Sequence, residues 1–181
     1  MRSIISFIIL LFSTGSLLAQ VSISETDIQH LFDKGKILFE EHQYSASKAE
    51  LENFLLQAPP NDGKIIEAKF YKAVSALRLE EKTAETELSN FINNDPDSYF
   101  ANQALFVLAN YKYDQNNFRY AGSLFKKIKT NQLSKNQLKE FQFKKGYCHF
   151  TRKEFSEAED YFYEVKQDTN LYREAATYYY A

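Results

Sequence analysis

The chain has 181 residues, 44% apolar and 16% aromatic, with only 5 Gly and 3 Pro, which excludes a disordered chain and favours helices over turn-rich sheet. A formal charge of −2 offers no basic field for nucleic acid. With Cys148 as the only cysteine no intramolecular disulfide can form, so stability must come from packing, and Cys148 is expected to be a small buried hydrophobe.

The first stretch, "MRSIISFIILLFSTGSLLAQ", carries one positive charge at Arg2, an apolar run from Ile4 to Phe12 and small residues ending in Ala19. That layout predicts a secretory signal peptide over residues 1–19, cleaved after Ala19. Ser13, Thr14, Gly15 and Ser16 break the run before it reaches the roughly 20 apolar residues of a membrane-spanning helix, so no stable membrane insertion is expected after cleavage. Gln20 stands where a lipid anchor would require Cys.

From about residue 27 the chain reads as helices in pairs. The first of each pair holds a small residue among aromatics: "LFDKGKILF" around Gly35, "KFYKAVSAL" around Ala73, "LFVLANYKY" around Ala109 and "QFKKGYCHF" around Gly146. The second carries small residues at Ser47, Ala84, Ala121 and Ala158, each 37 after the last, followed by large apolar residues at Leu51, Leu88, Phe125 and Phe162, then Phe54, Phe91, Ile128 and Val165. Three columns in register without a gap define an internal repeat. The spacings 38, 36 and 37 along the first small column place a one-residue slip in the second copy, with a shortened turn between its helices. Tyr44, Phe118 and Phe155 open three of the second helices; Lys82 stands near that place in the second copy.

The two small columns have a steric reading: where antiparallel helices cross closely, only Gly, Ala or Ser leaves room for the facing backbone. Gly35, Ser47, Ala73, Ala84, Ala109, Ala121, Gly146 and Ala158 are therefore the expected repeat-packing positions. Helix stoppers separate the copies: Pro59 and Pro60, then Pro96, then the polar run "KTNQLSKNQ", in which Ser134 and Gln137 form a capping-box start.

A small residue in the middle of the first helix, an aromatic opening the second, then Ala and large apolar residues, and Pro after the hairpin resemble the tetratricopeptide repeat. Gly35, Tyr44, Ser47, Leu51, Phe54 and Pro59 in the first copy, and Leu108, Ala109, Phe118, Ala121, Phe125 and Ile128 in the third, carry the likeness; the 37-residue period and the absence of Trp depart from it. The resemblance implies an all-α fold, a right-handed α-solenoid of antiparallel helix hairpins. About four complete repeats (27–60, 64–97, 100–130 and 137–168) and the start of a fifth (171–181) are expected to form one solenoid over residues 20–181. Because Tyr180 repeats the aromatic of Phe143 at a spacing of 37, the chain is expected to be the leading part of a longer array.

The resemblance also implies a protein-interaction scaffold, not an enzyme, with a partner peptide or helix held in a groove lined by the first helices. The candidate groove residues are Phe32, Phe70, Phe106 and Phe143, three before each small residue; Phe39, Tyr113 and Phe150 seven further on; and the polar or flanking Lys36, Arg78, Asn110 and Tyr147. The aromatics equally suit packing between successive first helices, and the polar set equally suits a solvated face. Glu40 and Asp114 belong to the same polar set. The family's clamp for a C-terminal carboxylate needs Lys where this chain has Phe.

Export and repeats together resemble periplasmic repeat proteins of Gram-negative envelopes, which places the protein in the periplasm or at the outer membrane. A sensor or regulatory region of a longer signalling protein or enzyme is the alternative. His30, His42 and His149 lie far apart without metal-ligand neighbours, and Gly63-Lys64 lacks the rest of a phosphate loop. Ser45 and Lys48 match one element of a serine acyl-enzyme motif but stand on a repeat helix without companion motifs. No catalytic residue, cofactor or metal is expected.

Overall fold

The computed structural model describes residues 25–181, so the expected signal peptide lies outside the described residues. In chain order the helices are α1 (Glu25–Glu40), α2 (Tyr44–Gln57), α3 (Ile65–Arg78), α4 (Ala84–Asn94), α5 (Tyr99–Asp114), α6 (Phe118–Phe125), α7 (Lys135–Thr151), α8 (Phe155–Lys166) and α9 (Arg173–Tyr180). A short 3-10 turn at Thr130–Gln132 precedes α7, and the described residues contain no strand. Consecutive helices pack on one another throughout, which makes the chain an all-α solenoid of four helix hairpins followed by α9.

The hairpins form because their small residues let two helices touch. A Cβ added at Gly35 would come 2.7 Å from Leu51 Cγ, and one at Gly146 2.8 Å from Tyr161 Cβ and 3.2 Å from a Phe162 ring carbon. All eight small positions are buried. Ser47 fits the first crossing because its hydroxyl donates to the Gly35 carbonyl at 2.8 Å, so a fully buried polar group has its partner.

Each hairpin turn uses one residue in the left-handed region: His42 (φ 64°), Glu80 (56°), Asn116 (58°) and Lys153 (64°). In every turn that residue and the next close the preceding helix with paired backbone bonds. In the first, the His42 amide donates to Phe39 O and the Gln43 amide to Leu38 O; in the last, the Lys153 amide donates to Phe150 O and the Glu154 amide to His149 O. This is a Schellman closure made without glycine. The one-residue slip is visible as well. The left-handed residue stands five before the small residue at His42, Asn116 and Lys153 but four before it at Glu80. The connection itself is longer and not shorter, because α4 begins only at Ala84 and the other second helices begin three before their small residue. The capping box of Ser134 and Gln137 opens α7 as the sequence implies.

The first helices of successive copies also touch, α1 on α3, α3 on α5 and α5 on α7, while no two second helices pack comparably. The odd-numbered helices thus form the inner layer of the solenoid and the even-numbered ones the outer layer. The core divides into three clusters: Phe32, Leu51, Phe54 and Ala68 at the first seam; a large central one from Phe70 to Cys148; and Phe143, Ala158, Phe162, Val165 and Ala176 at the last. Among the described residues no helix is long and apolar enough to cross a membrane.

Candidate functional site

A groove of about 470 Å³ runs along the inner layer, bounded by side chains of α1, α3, α5 and α7. Its apolar floor is Phe39, Phe70, Val74, Leu77, Phe106 and Val107; its polar rim is Arg78, Asn110, Asp114, Glu140 and Lys144. Of the residues expected in the groove, the structure brings Phe39, Phe70, Arg78, Phe106 and Asn110 together there.

The others have different neighbours. Phe32 is 3% exposed and Phe143 8%, each within its own core cluster. Phe70 and Phe106 are also buried, so only parts of these rings reach the groove. Lys36 is committed to Glu67 at 2.8 Å, and that carboxylate holds its ammonium above the usual lysine range. Tyr113, Tyr147 and Phe150 form a chain of rings at the hairpin turns: Tyr113 meets Phe118 at 5.3 Å and Tyr147 at 5.7 Å edge-to-face, Tyr147 stacks on Phe150 at 6.2 Å, and Phe150 meets Phe155 edge-to-face at 5.6 Å. Burial raises the Tyr113 hydroxyl above its ordinary range, which keeps it neutral.

Two features of the rim define what the groove can do. Lys144, 8% exposed, reaches Glu140 at 2.9 Å and Asp114 at 3.3 Å and lies 5.1 Å from the Tyr113 ring centre, so its charge is satisfied inside the protein. Asn110 is the opposite case: its Oδ1 is buried and has no hydrogen-bond partner among the described residues. Because Asn110 stands on the rim, turning its side chain outward would present an amide acceptor to a backbone or side-chain N–H from outside. The sequence reading did not single out Lys144 and Glu140, although their i, i+4 spacing on one helix was a usable signal. Gln103 and Gln137 also went unnoticed as a pair: they bond at 2.7 Å across α5 and α7, between residues 34 apart in sequence.

Cys148 is fully buried and burial pushes its thiol up to about 12, so it is a packed hydrophobe, not a nucleophile. The described residues hold no group of three or more His, Cys, Asp or Glu placed to bind a metal.

Helix hairpins stacked in register, with two small columns per copy and an inner groove, define a tetratricopeptide-like helical repeat fold. A solved structure of MamA (AMB-1, P212121 crystals), itself a tetratricopeptide-like protein, superposes with a TM-score of 0.61 and 16% identity over 87% of this chain and 82% of that one. At that identity the likeness speaks for the fold. No family model matches the sequence, and no curated protein matches it.

Proposed function

We propose that the protein is a cell-envelope interaction scaffold that holds a segment of a partner protein in the inner groove. The tetratricopeptide-like fold supports the scaffold reading. The observation that carries the groove is its apolar floor of Phe39, Phe70 and Phe106 beside Asn110, whose buried Oδ1 has no hydrogen-bond partner among the described residues. Leaving a buried acceptor unmade costs about 1 to 3 kcal/mol, which a peptide N–H would recover once the Asn110 side chain turned outward to meet it. The apolar floor would add the burial of one or two partner side chains. Export to the periplasm or to the outer membrane rests on the Arg2, apolar-run and Ala19 layout.

The test is site-specific photocrosslinking in the native host, with a benzophenone side chain at Val107 in the groove or at Glu52 on the outer layer. The groove position should yield a discrete adduct that Asn110→Leu abolishes while the far-UV circular dichroism stays unchanged. Adducts of the same mass from both positions, or indifference to Asn110, would overturn the groove assignment. Mass spectrometry of the protein from a periplasmic fraction should find a chain beginning at or near Gln20, and an intact Met1 would refute export.

A further inference from the structure

The outer layer carries two clefts of similar construction, each between the second helices of adjacent copies with a first helix as its floor. One, of about 720 Å³, lies between α2 and α4 over α3; the other, of about 780 Å³, lies between α6 and α8 over α7. Their charges are managed differently. In the first, Lys48 is tied to Glu81 at 2.6 Å and Lys72 to Glu52 at 3.7 Å, which leaves Lys69 without an ion pair among the described residues. In the second, three cations, Arg119 on α6, Lys126 at its C-terminal cap and Lys145 on α7, form no ion pair among the described residues.

The second cleft is organised around those cations. Lys145 Nζ is 5.1 Å from the ring centres of both Phe141 and Tyr161, which fixes the ammonium without neutralising it. Tyr161 also stacks on His149 at 5.6 Å. Arg152 is directed by Glu154, which accepts from its Nε at 3.0 Å and its Nη2 at 2.6 Å; its Nη1 lies where a Cβ on Gly122 would be, 2.7 Å away. A glycine in the interior of α6 therefore opens the slot for this guanidinium. Arg119 on α6 and Lys126, which caps that helix, are seven residues apart, as are Lys145 on α7 and Arg152, which caps it, so the cations of each pair are spaced about 10 Å along one face. The α8 wall carries Glu157 and Asp160.

We propose that this cleft binds an acidic segment of a partner protein, with its carboxylates against Arg119, Lys126 and Lys145 and its opposite side against α8. The Glu157 and Asp160 wall is the reason for choosing a peptide. A polyanion charged on all sides, such as a polyphosphate, would meet these carboxylates, whereas a peptide acidic on one side would not. The site is separate from the inner groove and lies on the opposite layer of the solenoid.

The test measures fluorescence anisotropy of the full chain with a labelled octapeptide, Asp-Thr-Asp-Thr-Asp-Thr-Asp-Thr, whose carboxylates share one side when extended, at low salt. Binding should saturate and weaken about tenfold or more in the Arg119→Glu, Lys126→Glu double variant. The matched Lys69→Glu, Lys72→Glu variant of the other cleft should bind within about twofold of the parent, and tripolyphosphate should compete at least about tenfold less well than unlabelled peptide. Loss of the same size in both double variants, absence of saturation, or equal competition by tripolyphosphate would overturn the proposal. Asn110→Leu separates the two sites: it should leave octapeptide binding intact, and a loss there would place the peptide in the inner groove instead. Circular dichroism confirms that each variant remains helical.

Discussion

The seam between the first two hairpins and the seam between the third and fourth join equivalent helices by different chemistry. At the first, polar side chains reach across: Lys36 to Glu67 at 2.8 Å, Lys48 to Glu81 at 2.6 Å, and Gln29 to Asp62 at 2.8 Å, above a small core of Phe32, Leu51, Phe54 and Ala68. At the third, rings and amides do most of the joining: Phe125 on Phe141 at 5.7 Å, Phe118 on Tyr147 at 5.2 Å, and Gln137 donating to Gln103 at 2.7 Å, with Lys144 to Asp114 at 3.3 Å as an ion pair beside them. The α5–α7 contacts also belong to the large central cluster, which runs from Phe70 to Cys148. Exposed ion pairs contribute about 0 to 1 kcal/mol each, while a buried aromatic contributes several times that. The repeat thus fixes how a hairpin closes, and the seams set how tightly each hairpin is held to the next.

The largest effect that tests this contrast is a cavity in each region. Phe54 and Phe125 are both fully buried, and either change to Ala should cost about 3 to 5 kcal/mol. The form of the loss should differ. Phe125→Ala lies in the shared central cluster and should lower one cooperative transition in urea. Phe54→Ala lies in the small first cluster and should release α1 and α2 in a separate, earlier transition. Two single transitions lowered equally would mean that the first seam is as strong as the third.

A smaller effect distinguishes glycines that separate backbones from one that makes room for a side chain. Gly35→Ala and Gly146→Ala put a Cβ under 3.0 Å from packed core atoms, so overpacking of about 1 to 3 kcal/mol should exceed the gain of about 1 kcal/mol in helix propensity. Both variants should melt lower. Gly122→Ala clashes with the tip of Arg152, which can swing away, and touches Cys148 Cβ at 3.4 Å, an ordinary contact, so the propensity gain should dominate and the melting temperature should rise or hold. Were all three to fall together, the helix faces would be wrongly assigned.

How much of this was legible depended on whether the constraint lies in one residue or in a meeting of two. The close crossings were readable because Gly35 or Gly146 is the only Gly, Ala or Ser in its aromatic stretch, and steric exclusion leaves a mark at one position. The one-residue slip of the second copy was readable by counting, but the late start of α4, which lengthens that connection, was not. The groove was legible only in outline. Phe70, Phe106 and Asn110 stand on it, but nothing in the sequence separates them from Phe32, which meets the Phe54 ring at 5.4 Å in a closed core. The seam partners Lys36 and Glu67, or Gln103 and Gln137, are more than 30 residues apart, and local pattern does not encode such pairings. The turn residues were invisible because the left-handed position holds His, Glu, Asn or Lys and not the expected glycine.

Those turns supply the next prediction. A left-handed residue with a side chain costs about 1 to 2 kcal/mol, less for Asn, whose short polar side chain tolerates the region. His42→Gly or Lys153→Gly should therefore stabilise the chain by up to about 1 kcal/mol after the added unfolded-state entropy, and Asn116→Gly by less. Thermal melts rank the three. A larger gain at position 116 than at 42 and 153 would show that the Asn side chain does not ease its turn.

The smallest effect is electrostatic and bears most directly on the seams. Raising NaCl from about 0.1 M to about 1 M shortens the screening length from about 10 Å to about 3 Å, which weakens exposed ion pairs and leaves buried ring contacts and the Gln103–Gln137 amide bond nearly unchanged. Lys36 and Lys48 both have ammonium groups held above the usual lysine range by a hydrogen-bonded carboxylate, Glu67 and Glu81, so each pair favours the folded state below the ordinary lysine pKa and loses that contribution as pH rises through the raised value. Salt at neutral pH should thus speed amide hydrogen exchange in α1 and α2 relative to α5 and α7, by a shift under about 1 kcal/mol. Lys48→Met removes one ion pair among several across this seam, Lys36–Glu67, Lys64–Asp33 and Lys72–Glu52 remaining, and should reduce the salt response of α1 and α2 in part while leaving α5 and α7 alone. If salt instead changes exchange equally in all four helices, the polar bridges at the first seam contribute nothing measurable, and the small Phe32–Phe54 core alone holds the first hairpin in place.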